Sequence, residues 1–66
     1  MERHEVFMLY FGTDWKHMRE SNGRTVTEIA EATGLSRPTV YDLENRKPTC
    51  SEKSVRAFLT YWGQLK

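Results

Sequence analysis

Val26-Thr27-Glu28-Ile29-Ala30-Glu31-Ala32-Thr33-Gly34-Leu35-Ser36-Arg37-Pro38-Thr39-Val40-Tyr41-Asp42-Leu43-Glu44-Asn45 is the stretch that decides the fold. Thr25 stands three residues ahead of Glu28. At that spacing a hydroxyl caps a helix amide while the carboxylate reaches back to the capping residue's own amide. Ile29, Ala30 and Thr33 then share a face, and Gly34 supplies the positive φ on which a helix stops. Ser36 caps a second helix. Pro38 falls in its first turn, where a missing amide proton costs little because first-turn amides have no intrahelical acceptor. Val40 and Leu43 face inward, with Tyr41 a further candidate, and this helix ends near Asn45. Two short helices crossing at a bend need a small side chain where the second passes over the first, and a β-branched one to fill the gap. Ala30 and Val40 meet those needs, while Ile29, Leu35 and Leu43 anchor the unit to the rest of the domain.

Outward from this unit, Gly and Pro mark the remaining boundaries: Asn22-Gly23 before it and Lys47-Pro48 after it. Upstream, Phe11, Trp15 and Met18 recur at four and three residues with charged residues between them, which predicts a helix over residues 13–21. Downstream, Ser51 caps a last helix over residues 52–62 with a stripe of Val55, Phe58, Leu59 and Trp62, ended by Gly63. The opening run Val6-Phe7-Met8-Leu9-Tyr10-Phe11 follows neither period 2 nor period 3.6, and residues 5–11 read equally as an extra helical turn or a short strand. The expectation is a compact all-α domain of four helices, or five if the opening run adds one. Its core is Trp15, Met18, Ile29, Ala30, Leu35, Val40, Leu43, Val55, Phe58, Leu59 and Trp62, since no such short helix offsets its backbone entropy alone.

Sixty-six residues, 38% of them hydrophobic, make a single domain spanning 1–66, near the lower size limit for folding without staples. One cysteine, Cys50, excludes an intramolecular disulfide framework. No apolar run approaches the roughly 18 residues of a membrane helix, and nothing before Val6 resembles a signal-peptide start, so a cytoplasmic setting is the expectation. The formal charge is only +1, but it is uneven: residues 1–31 hold six acids and four bases, residues 37–66 six bases and three acids. Affinity for a polyanion follows such a local field rather than the total. His4 and His17 are far apart and Cys50 stands alone, so no zinc spacing or Cys–His pair is present. There is also no glycine-rich phosphate loop and no nucleophile elbow. Neither an enzyme nor a cofactor is expected.

Ile29-Ala30-Glu31-Ala32-Thr33-Gly34-Leu35-Ser36-Arg37-Pro38-Thr39-Val40-Tyr41 resembles the helix-turn-helix of bacterial and phage repressors, with the whole motif at 26–45. The wider context resembles the Cro and phage-repressor family, through Phe11-Gly12, Trp15 and Met18-Arg19-Glu20 upstream. Downstream the likeness runs through Leu43-Glu44-Asn45, Lys47-Pro48 and the final apolar helix, so it covers roughly residues 11–62. The resemblance implies a DNA-binding domain, a repressor acting as a homodimer on a near-palindromic operator. It also implies a largely buried arginine paired with a glutamate at the end of the recognition helix, here Arg19 and Glu44. Where the family commonly has a glycine after that helix, this chain has Arg46.

In that geometry the second motif helix enters the major groove. Base-contact candidates are Arg37, whose guanidinium can donate twice to guanine, Pro38 and Thr39 against a thymine methyl, and Tyr41, Asp42 and Asn45. Phosphate candidates are Thr25, Thr27, Ser36, Arg46, Lys47 and Lys53, with Arg56 further out. A module this small needs two copies for useful affinity. Val6, Phe7, Met8, Leu9, Tyr10, Tyr61 and Leu65 are a source for a dimer surface; the competing reading is that the opening run folds back to complete a thin core, and a mixture of the two is favoured. The rival is an antirepressor- or antitoxin-like module that binds another protein, for which Asp42 and Glu44 in the recognition helix speak. No membrane and no small-molecule ligand is expected.

Overall fold

In a computed structural model, which describes residues 2–65, the chain forms α1 (Arg3–Gly12), α2 (Trp15–Ser21), α3 (Val26–Thr33), α4 (Arg37–Glu44) and α5 (Glu52–Tyr61). No strand occurs among the described residues; Met1 and Lys66, the ends of the span read from sequence, lie outside them. The molecule is an all-α domain measuring 29 × 21 × 21 Å. α5 is its hub: α1, α3 and α4 all pack on it, α3 also packs on α4, and α2 on α4.

Caps set the boundaries. Thr25 Oγ1 accepts from the Glu28 amide at 3.1 Å, Ser36 Oγ from Thr39 at 3.3 Å, and Ser51 Oγ from Ser54 at 3.2 Å. Each satisfies one amide that the first turn leaves without a carbonyl. At Gly34, φ is 75° and its amide donates to the Ala30 carbonyl at 2.9 Å, so α3 stops and the chain turns into α4. Pro38 sits in the first turn of α4.

The opening run is neither a strand nor a single extra turn but a ten-residue helix. Its periodicity is blurred because it is apolar on several sides: Val6 and Tyr10 are fully buried, Phe7 and Leu9 half-buried, and Met8 and Phe11 exposed. Of the two uses read for the opening run, Val6 and Tyr10 take the core and are withdrawn from the dimer surface. Both complete the core with Trp15, Val26, Ile29, Ala30, Val40, Leu43, Val55, Phe58 and Leu59. Val26 is a core residue missing from the sequence reading, whereas Met18, Leu35 and Trp62 only flank the core.

The helix read over 13–21 begins instead at Trp15. Thr13 caps the end of α1, and Asp14 starts α2 by accepting from the His17 amide at 3.1 Å. Phe11 and Trp15 thus lie on different helices. The Trp15 indole turns back instead, donating through Nε1 to the Tyr10 carbonyl at 2.8 Å and meeting Phe58 edge-on with centroids 5.2 Å apart. The last helix stops at Tyr61, with Trp62 as its cap.

Candidate nucleic-acid interface

α4 is held from behind. Val40 and Leu43 are fully buried, and Ala30 of α3 lies in the same cluster, 8% exposed, small enough for α4 to pack closely. At the far end of α4, Glu44 is also buried, and Arg19 of α2 donates from Nε to its Oε2 at 2.6 Å. That carboxylate, hydrogen-bonded first and charge-attracting second, raises the Arg19 pKa above its ordinary value. A buried charge survives only with such a partner. The arginine also donates from Nη1 to the Arg24 carbonyl at 3.4 Å, tying the loop before α3 into the same arrangement.

With its back fixed, α4 presents Arg37, Pro38, Tyr41 and Asn45 to solvent, while Thr39 and Asp42 are half-buried. Arg37 stands at the edge of an open groove between α3 and α4, lined also by Thr27, Glu31 and Leu35. Among the described residues, Arg37, Arg46 and Lys53 form no ion pair.

Several neighbours are already engaged within the fold. Asp42 Oδ1 takes the Lys47 ammonium at 3.1 Å, so each mutes the other's field. Asn45 donates its side-chain amide to the Tyr41 carbonyl at 3.0 Å, leaving its Oδ1 as the acceptor on offer. Ser36 Oγ lies 2.8 Å from Thr39 Oγ1 besides capping α4. Thr25 donates its hydroxyl to Glu28 Oε1 at 3.3 Å, which lays a carboxylate over the start of α3. Thr27 is exposed with no such commitment, and Arg56 is drawn to Glu52 at 2.8 Å. The structure thus gathers Arg37, Tyr41, Asn45, Asp42 and Lys47 along α4 and its exit, and it leaves Lys53 on α5.

Beyond Glu44 the chain leaves α4 through a turn built on Arg46. Its φ is 55°, its amide donates to Leu43 at 3.0 Å, and the Lys47 amide donates to Asp42 at 3.1 Å. This double closure usually has glycine at the left-handed position. Sequence reasoning missed the next contact: the Tyr10 hydroxyl of α1 donates to the Lys47 carbonyl at 2.9 Å. A tyrosine inside an apolar run is a signal that could have raised it, because a buried phenol needs a partner for its hydroxyl. Burial first, then Cys50 and Asp42 nearby, push the Tyr10 pKa above its ordinary value, so the group remains a donor.

Among known families, a model described as a helix-turn-helix domain matches residues 11–64. No curated protein and no solved structure matches.

Proposed function

The chain belongs to the helix-turn-helix domain family, which points generally to DNA interaction and a regulatory role, and from that premise we propose that it is a sequence-specific double-stranded-DNA-binding transcriptional regulator. In this reading it is a Cro-like repressor of phage, plasmid or bacterial origin acting on the nucleoid in the cytoplasm. α4 lies in the major groove. Arg37 donates twice to a guanine edge, Pro38 and the Thr39 methyl meet a thymine methyl, and Tyr41, Asp42 and Asn45 complete the reading surface. Thr27, Arg46, Lys47 and Lys53 contact phosphates and set the register, with Thr25 and Ser36 serving chiefly through the helix starts they cap. Two copies bind a near-palindromic operator, about 34 Å between half-sites.

The observation that carries this reading is the unpaired, exposed Arg37 at the start of a helix whose opposite side is anchored by Val40, Leu43 and the Arg19–Glu44 pair. Selection of binding sites from a random duplex pool tests it. The expected result is a paired half-site whose affinity falls steeply with salt, with a logarithmic slope of about −0.9 per neutralised phosphate. If no duplex is retained at micromolar protein and a protein partner is recovered instead, the antirepressor- or antitoxin-like alternative replaces it.

A further inference from the structure

α1 is almost wholly outside the stretch that matches the family, which begins at Phe11. It nevertheless sends Val6 and Tyr10 into the core and touches the chain just beyond α4 at two points. Tyr10 donates to the Lys47 carbonyl at 2.9 Å, and Arg46 donates from Nη1 to the Phe11 carbonyl at 3.4 Å. The Phe11 carbonyl belongs to the last turn of α1, where carbonyls lack intrahelical partners and no basic residue of α1 answers the negative end of the helix. Arg46 supplies that cation from outside. The Lys47 carbonyl, with two lone pairs, also accepts from the Cys50 amide at 3.4 Å and sits before Pro48, which restricts Lys47 to extended conformations. The start of the 46–50 segment is therefore fastened twice, by the closure of α4 through the Arg46 and Lys47 amides and by a buried phenol from α1 at the Lys47 carbonyl, to which the Cys50 amide ties the other end.

We propose that Tyr10 is a positioning residue for DNA binding: through its hydroxyl, α1 holds the 46–50 loop so that the exposed Arg46 and Lys47, resting on the Phe11 carbonyl and on Asp42 in the free protein, are already placed beside backbone phosphates and exchange those contacts for them on binding. This rests on the DNA-binding reading above. Two flexible cations on a free loop would lose rotamer and backbone freedom on binding, and a loop ordered beforehand avoids that cost. Because phosphates carry no sequence information, loosening the loop weakens all duplexes by one factor and leaves base preference unchanged.

Tyr10→Phe is the test, since it keeps the ring in the core and removes only the hydroxyl. In the free protein, backbone relaxation by nuclear magnetic resonance reads the order of residues 46–50. The expected result is increased motion there, with the five helices unchanged. On DNA, selected and random duplexes bind about three- to tenfold more weakly, by the same factor. In an Arg46→Ala/Lys47→Ala background, Tyr10→Phe causes no further loss, an absence of additivity that a general loss of stability would not produce. Unchanged loop order overturns the proposal whatever the DNA result. So does undiminished affinity of Tyr10→Phe, or an undiminished loss in the double-alanine background. If the parent protein binds no duplex, the DNA-binding reading fails, and with it the phosphate role given to this loop, while the relaxation data still judge the Tyr10 tether separately.

Discussion

Arg46 is the only non-glycine residue with positive φ among the described residues; Gly23, Gly34 and Gly63 take the other left-handed positions. For an L-residue that conformation costs roughly 1–2 kcal/mol, because Cβ crowds the following carbonyl oxygen. A side chain kept at such a position has a reason to be there, and a cation next to the exit of α4 is one. Arg46→Gly relieves that strain but gives up the bond to the Phe11 carbonyl, so unfolding stability in urea titration is expected to stay within about 1 kcal/mol of the parent, while selected and random duplexes are weakened alike. Arg37→Ala is expected to leave stability within about 0.5 kcal/mol of the parent, and to relax preference at one guanine instead. Equal losses on selected and random DNA for Arg37→Ala would remove it from the base-reading surface.

At the level of elements, local chemistry wrote most of the boundaries. Thr25, Ser36 and Ser51 cap helices they precede, and each bond lies within three residues of sequence. That is why α3, α4 and α5 are legible in the sequence. α1 is not, because its inward and outward faces are both apolar and only contact with α5 decides which is which. The junction of α1 and α2 was misplaced for the same reason, since Phe11, Trp15 and Met18 keep a helical rhythm across a break made by Asp14. How elements hold each other is testable at the Arg19–Glu44 pair, which joins α2 to α4 with side chains only 16% and 4% exposed. Arg19→Met strands a buried carboxylate and is expected to cost about 3–5 kcal/mol, measured by chemical unfolding. Adding Glu44→Leu should restore most of that loss, and a double variant no more stable than Arg19→Met would count against burial as the cause.

For the whole molecule, the limiting quantity is core size. Among the described residues eleven hydrophobic ones form the buried cluster, and they come from all five helices, so each helix supplies part of a core that is small to begin with. Drawing Val6 and Tyr10 inward leaves Phe7, Met8, Leu9, Tyr61 and Leu65 as the remaining apolar candidates for pairing two copies, with Met8 the most exposed at 70%. Light scattering on a selected duplex is expected to show two protomers per full operator, and one on a duplex with a single half-site. One protomer on both would refute the paired arrangement.

The order of residues alone determined where three helices start, where the bend at Gly34 falls and which side of α4 carries Arg37, because capping, left-handed turns and helical periodicity act over a few bonds. Only tertiary structure decided that the opening run is a helix with Val6 and Tyr10 inside. It alone showed that Lys47 leans on Asp42, and that the Tyr10 phenol reaches the Lys47 carbonyl 37 residues away. Those outcomes follow from which apolar face finds a partner and which polar atoms are then shut from water. Such facts belong to the packed chain and are not written in any short stretch of it.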